Sequence, residues 1–432
     1  MPPVQNAVVE RGRKMKASPF PMIEPEEAIR LIAENVASPA PSDTETVALI
    51  VGKGWVLAED IYSTVNIPTF DTTPIDGYAL FAEEGRQEWQ VIGEHLAGET
   101  GYLRIEAGTA IRIMNGAPLP EGANSVVMVE FTNETDNVLS LSIPVKAGDN
   151  IRHIGQDIKK GQLVLKAGTV MGAPELGLAA MVNRASFKAY RRPRLGVISV
   201  GDEIAEPGDV SKPEAVYDSN RFSLVAALTD AYAEAIPLGI APASKEGLRT
   251  MIMDALEIYD GVVTSGSLSV GKTDIVKDLL EELGTIHFGR VNLKPGKPFT
   301  FVTAEINGKR KPIFGLPGSP VSSLVSFELF VRPAVLKMGG RAKRHRPTIQ
   351  VQAEHAIAHA ADRNEYVRAI VSQQFEPETR SYTFTARTTG AQNSSRLMSM
   401  LEANALLRLS PDPHAVKAGS YMTAVLLNCT EI

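Results

Sequence analysis

Lys294-Pro-Gly-Lys-Pro298 sets two ammonium groups three residues apart on a stretch stiffened by two prolines, so both can point at one anion with little entropy lost. Further on, Gly315-Leu-Pro-Gly-Ser-Pro-Val-Ser322 offers Ser319 as a helix N-cap and Pro320 at the first helical position. Ser322 and free backbone amides then lie at a positive helix end. Gly266-Ser-Leu-Ser-Val-Gly-Lys-Thr273 fits the phosphate loop G-x-x-x-x-G-K-[ST] and falls between an expected strand and an expected helix. A nucleotide hydrolase would also need a strand ending in an aspartate that helps hold Mg²⁺. The strands that follow end instead in Ala304-Glu305 and Gly315-Leu316. The loop is therefore read as backbone amides for a phosphate or oxyanion. Each motif has a plainer alternative: a glycine-rich turn, a pair of solvated lysines, a well-made helix start. Gathered at the C-terminal edge of one α/β sheet, the three describe an anion pocket.

Carboxylates occupy other turns: Asp76 in Pro74-Ile-Asp-Gly-Tyr-Ala, Asp202 and Glu203 after Gly201, Asp218 before Ser219-Asn220, and Asp274 after the glycine loop. Some could hold a hard cation such as Mg²⁺, which takes oxygen ligands and bridges to substrate phosphates. Singly, each is more often a turn or cap residue. His355 and His359 have the spacing of a zinc-binding helix, but Ala356 stands where H-E-x-x-H needs its general base. With one cysteine, Cys429, and no G-x-S-x-G, nucleophilic hydrolysis is unsupported.

The elements that must position these groups are legible in outline. The 432 residues exceed one ordinary core, and 44% hydrophobic residues suffice to fill several. Forty-four basic against 50 acidic residues give a net charge of -6, which argues against general nucleic-acid binding but leaves room for local basic pockets. A single cysteine excludes an internal disulfide and fits a reducing, cytoplasmic setting. No apolar run is long enough to span a membrane. Residues 1–19, with Arg11, Arg13, Lys14 and Lys16, are expected to be a basic disordered leader; the alternative is a targeting or anionic-surface role. From Glu24 the apolar spacing predicts a helix that passes into extended chain, and residues 147–190 return to pack on it, so 20–66 plus 147–190 form one discontinuous domain. Residues 67–146 read as short strands in a β-rich domain. Residues 191–340 alternate strands with helices and should form a central parallel-sheet α/β domain, ending in a buried helix from Pro320 to Lys337. Residues 341–432 read as a C-terminal β-domain.

Taken in order, ten stretches resemble the MoeA family of molybdopterin molybdenumtransferases, and most closely its eukaryotic members, the gephyrin E domain and the plant molybdenum insertase E domain. They are Asp76-Gly-Tyr-Ala, Arg112-Ile-Met-Asn-Gly-Ala-Pro-Leu-Pro, Asp157-Ile-Lys-Lys-Gly, Gly201-Asp-Glu, Asp218-Ser-Asn-Arg, Thr264-Ser-Gly-Ser-Leu-Ser-Val-Gly, His287-Phe-Gly-Arg-Val, the lysine motif, the Gly315 motif and Ser394-Ser-Arg-Leu-Met-Ser-Met. The resemblance implies an elongated, four-domain, homodimeric subunit, α/β plus β, with the active site between the α/β domain of one subunit and other domains of its partner. It implies an insertase that converts adenylylated molybdopterin and molybdate to molybdenum cofactor and AMP with a divalent cation. By matching position, Asp76, Glu203 and Asp274 would be catalytic and metal-holding. Asn115, Ser265, Gly266, Ser269, Gly271, Lys294, Lys297, Ser322, Arg368, Ser394 and Ser395 would bind substrate. Ser267 and Ala243 depart from the family's usual glycine and aspartate. With no adenylylating domain in the sequence, the activated substrate should come from an upstream molybdopterin adenylyltransferase. The alternative is a catalytically weakened, gephyrin-like scaffold that binds receptor or adhesion-protein tail peptides.

Overall fold

The computed structural model describes residues 20–82, 86–98, 104–211, 214–242, 244–266, 279–359, 362–412 and 414–427. The basic leader, Ala243, Ser267, Ser269, Gly271 and Asp274 lie outside them, as does most of the Gly266–Thr273 loop. The chain divides into two compact units, one formed by residues up to Asp43 with those from Tyr190 on, the other by Thr44–Ala189.

In the first unit the central sheet runs Glu234–Ala241, Arg194–Val200, Gly261–Gly266, Lys309–Leu316, Thr300–Ile306, Thr285–Phe288. The first four strands are parallel, and the last two are antiparallel additions. The expected parallel sheet is thus mixed at one edge. The reason is local: Asn307 and Gly308 both have positive φ and close a two-residue hairpin, for which Asn-Gly is the favoured pair. Period-two alternation sends side chains to both faces. Leu195, Val197, Val263 and Phe314 join one core with the helices Pro25–Asn35, Asn220–Asp230 and the chain from Pro320. Ile198, Val200, Val262 and Ile313 join another with the helix Lys245–Ile258 and Leu279, Leu280 and Leu283. The last helix is α from Pro320 to Ser326, π from Phe327 to Val331 and α again from Arg332 to Met338.

The described chain up to Asp43 folds with the first unit, and the chain from Thr44 to Ala189 forms the second. The helix Pro25–Asn35 is amphipathic, starts on Pro25 with acidic Glu26 and Glu27 in its first turn, and buries Ala28 and Ile32 in the first unit's core. In the same unit, Asn364–Glu376, Ser381–Thr388, Thr348–Ala353, Tyr421–Leu426 and Ala405–Leu409 close into a five-stranded barrel, because the first and last of these also pair. The two-residue strand Leu293–Lys294 adds to it in parallel, Leu293 opposite Asn364 and Lys294 opposite Glu365.

In the second unit a six-stranded sheet is built from strands between Gly77 and Leu141. Thr44–Ala48 pairs with Ser186–Tyr190, and Ile61–Tyr62 with Leu163–Leu165, around a core that includes Leu57, Ile61 and Phe187.

An aromatic core packs beside the lysine motif in the first unit. Phe299 is fully buried, stacked on Phe330 at 5.0 Å between ring centroids and edge-on to Phe288 at 5.4 Å. Phe299→Ala is expected to cost about 3–5 kcal/mol, read as a lowered urea midpoint of the first unit's unfolding transition.

Candidate functional site

The lysine motif leaves the barrel edge at Lys294 and turns over the last helix. Gly296 has φ +121°, and a Cβ there would sit 2.7 Å from both the Leu293 side chain and Ser326 Oγ, so only glycine lets the loop lie this close. The Gly315 motif continues from the parallel strand Lys309–Leu316 into the helix at Pro320. Beside it, Gly266 ends its strand at φ +123°, where a Cβ would meet the Val200 carbonyl at 2.1 Å.

These segments, with the start of the barrel's first long strand and the loop at 392–394, enclose a cavity of about 650 Å³. Its polar lining includes Lys294, Lys297, Ser319, Ser322, Arg363 and Ser394 beside the amides Gln392 and Asn393, and among the described residues no carboxylate lines it. The two lysines differ. Lys294 Nζ lies 3.1 Å from Glu365, a carboxylate whose side chain is only 4% exposed, so this ammonium is held in place. Lys297 has no ion-pair partner among the described residues and keeps its charge for what enters. Arg363 Nε lies 3.4 Å from Asp362 and forms no hydrogen bond, although it is buried. Ser322 is 5% exposed. The Ser394 carbonyl accepts the Val321 N–H at 3.1 Å, which fastens the 392–394 loop to the helix start. One committed ammonium, two freer cations and three serine hydroxyls, around a cavity that no carboxylate lines among the described residues, suit a tetrahedral dianion or a phosphate ester.

Other expected residues have different places. Ser265, 1% exposed, accepts from Asn220 Nδ2 at 2.7 Å and donates to the Pro317 carbonyl at 3.2 Å; the Asn220 amide also donates to the Gly318 carbonyl at 2.8 Å. Ser265 therefore shapes the turn and is not itself in the cavity wall. Ser395 is exposed and outside the wall. Arg368 also lies outside the wall. It is 1% exposed, and its guanidinium donates to Ser399 Oγ at 3.2 Å and to the Asn393 carbonyl at 3.3 Å, so it holds the loop from behind. Burial depresses it to about 10, partly offset by Glu365. Arg363 is the arginine that reaches the cavity. Sequence reasoning passed over it; the signal was its place next to Asn364-Glu365, the residues that pair with the lysine motif.

Asp218 is buried and engaged: it accepts from Ser199 Oγ at 2.8 Å, the Arg221 N–H at 3.1 Å and Arg221 Nε at 2.9 Å. Glu203 is exposed in the turn after Gly201. In the second unit, exposed Asp76 accepts the Asn115 N–H on Oδ1 at 2.7 Å, which joins two of the expected residues. Among the described residues no three acidic, histidine or cysteine side chains gather as a metal cluster. His355 and His359 are not helical, so their spacing defines no common face. Among the described residues no helix is long and apolar enough to cross a membrane.

Three family models match in succession: the MoeA N-terminal region (domain I and II) over residues 23–183, a probable molybdopterin binding domain over 196–337, and the MoeA C-terminal region (domain IV) over 350–427. A gephyrin of Dictyostelium discoideum is 33% identical, covering 96% of this chain, which spans 64% of that protein's length. A molybdopterin molybdenumtransferase of Haemophilus influenzae is 34% identical over 89% of this chain and 94% of its own. The crystal structure of a molybdopterin biosynthesis MoeA protein of Pyrococcus horikoshii OT3 aligns with TM-score 0.78 at 26% identity, over 94% of this chain and all of that one.

The geometry separates arginines that touch from arginines that hold. Lys297→Ala and Arg363→Ala should each weaken binding of a tetrahedral dianion about tenfold, or about 1.4 kcal/mol, with the unfolding temperature unchanged. Arg368→Ala should lower the unfolding temperature. Calorimetric titration beside thermal unfolding distinguishes them, and an Arg368→Ala protein of unaltered stability contradicts the assignment.

Proposed function

The chain belongs to the MoeA family of molybdopterin molybdenumtransferases, and from that premise we propose that it is a transferase of molybdenum cofactor biosynthesis, the insertase that takes adenylylated molybdopterin and molybdate to molybdenum cofactor and AMP. The observation that carries this is the cavity at Lys294, Lys297, Ser322, Arg363 and Ser394: basic, hydroxyl-lined and free of carboxylates among the described residues, at the meeting of the α/β sheet with the barrel. Molybdate is a tetrahedral dianion, and the pterin substrate carries phosphate. Lys297 and Arg363 supply charge, Ser322 and Ser394 supply donors, and Lys294, fixed by Glu365, sets the position of the anion.

Asp76 and Glu203, with Asp274, offer only carboxylate oxygens, a donor set that suits a hard divalent cation such as Mg²⁺. When bound, such a cation would stabilise the charge that develops on the departing AMP phosphate. Asp76 accepts the Asn115 amide, which orients one carboxylate oxygen and leaves the other available. We place the protein in the cytoplasm as a homodimer, supplied by a separate adenylyltransferase because its substrate arrives already activated. The scaffold alternative, with receptor-tail peptides as ligands, rests on the similarity to gephyrin and is not favoured.

The deciding assay supplies purified protein with adenylylated molybdopterin, molybdate and Mg²⁺ and follows AMP and molybdenum cofactor. Turnover is expected, with AMP release falling at least about 100-fold in EDTA or in Asp274→Asn. Equal AMP release in EDTA sinks the cation's role; tight substrate binding without AMP release sinks the insertase reading and favours the scaffold.

A further inference from the structure

The strand Lys309–Leu316 runs into the site at its C-terminal end. Its other end opens on a second cavity of about 410 Å³ in the same unit. At about 3.3 Å per residue, eight residues put the two roughly 25 Å apart. The walls of this second cavity are of two kinds. Pro39, Pro193, Pro312 and Met338 present flat apolar surface, while Lys309 and Lys311 bring ammonium groups on one short segment.

The remaining charges decide what could enter. Arg191 is held by Asp260 in a two-pronged contact at 2.8 and 2.9 Å, and the same carboxylate accepts the Arg194 N–H, so that pair is closed. Burial would raise the Asp260 carboxyl, but the Arg191 and Arg194 bonds hold it below its ordinary value. Arg310 donates to Glu305 at 2.9 Å. Lys311 Nζ gives one bond to the Leu256 carbonyl at 2.5 Å and retains further donors. Burial pushes that ammonium down, and although Asp260 and Glu257 push it up, Lys309 and Arg191 add to the lowering. Lys309 is exposed and has no ion-pair partner among the described residues. Asp43 is the acidic side chain left in the wall, and its Oδ2 already accepts the Ala40 N–H at 3.2 Å. Beside the closed Arg191–Asp260 pair, Lys309 and Lys311 outnumber Asp43, the one other carboxylate of the wall, so the lining carries an excess of positive charge.

We propose that this cavity is a second ligand site, separate from the first, for a small amphiphilic anion: a phosphate or carboxylate at Lys309 and Lys311, carried on a flat apolar body that lies against the prolines and Met338. Proline faces and a thioether accept a planar ring without demanding one shape, and the ammonium pair fixes the anionic end. The closed Arg191–Asp260 pair beside it supplies rigidity, since it ties the chain at 191–194 to the start of the central strand.

Phenyl phosphate is the probe, titrated calorimetrically into the full chain with inorganic phosphate in parallel. The wild type is expected to bind phenyl phosphate with Kd below about 1 mM. Inorganic phosphate, without the ring, should bind this cavity at least about tenfold more weakly. Lys309→Glu, at an exposed position, should cost at least about tenfold in phenyl phosphate affinity with an unchanged unfolding temperature. Because the first cavity also suits a phosphate ester, the titration is repeated in Lys297→Ala, which should weaken that first site about tenfold and leave intact the binding that Lys309→Glu removes. A flat wild-type titration overturns the proposal, and so does binding that survives Lys309→Glu but is lost in Lys297→Ala. Equal affinity for the two phosphates overturns the role of the apolar wall.

Discussion

Leu293 and Lys294 run parallel to Asn364 and Glu365 for only two residues, and the whole anion cavity depends on that pairing. Leu293–Lys294 leads within a few residues into Thr300–Ile306 of the α/β sheet, while Asn364 opens the long strand of the barrel. One short ladder therefore fixes the lysine motif against Arg363. So few backbone bonds would not hold alone. Glu24 braces both sides, accepting from Asn292 Nδ2 at 2.8 Å and from Asn364 Nδ2 at 2.9 Å, and the Ile23 backbone bonds to Arg290 and Asn292. Helix Pro25–Asn35 anchors that brace in the aromatic core. The start of the chain thus contributes to a site whose ligating groups lie far from it in sequence.

The buried Glu365 explains why two lysines three residues apart have different duties. Burying a carboxylate is costly unless a cation meets it, and Lys294 does so while staying 40% exposed toward the cavity. Such a pair adds little net stability, but it removes the rotamer freedom that a long side chain would otherwise lose when an anion binds. Lys297 and Arg363 keep more of their charge available. An anion thus meets one preorganised donor and two that adapt, and the hydroxyls of Ser322 and Ser394 complete a shell that a spherical or tetrahedral ligand can fill from several sides.

Much of this was legible in the residues, for physical reasons that also mark where reading stopped. Alternating apolar runs and long amphipathic helices announced the α/β domain, because period two and period 3.6 leave distinct traces. Glycine and proline spacing announced the two loops of the cavity. What was missed was partly local and partly long-range. Asn307-Gly308 is a local hairpin signal that was available and makes the sheet mixed. The allegiance of Ala28 and Ile32 was not available, since an amphipathic helix shows that it has a buried face and not what covers it. Arg363 lies just before the strand Asn364–Glu376 and Arg368 five residues on within it, and only the barrel's closure decides that Arg368 turns under the 390–399 loop.

Several residues in the most recognisable motifs never touch the cavity. Asp218 and Arg221 form a buried pair that also ties Ser199 to the helix Asn220–Asp230. Asn220 and Ser265 bind the carbonyls of Gly318 and Pro317 respectively, and Gly266 lets its strand end against Val200, where a Cβ on Gly318 would come 3.5 Å from the Gly266 Cα. Each of these polar side chains bonds within the protein, so removing one would leave a buried partner unsatisfied and shift the turn that carries Ser319 and Ser322. A site that must present fixed donors to a small anion tolerates little movement, and the cost of a displaced turn is felt at the ligand. Motif density in this chain therefore records the packing that holds the anion's donors still more than it records the donors themselves.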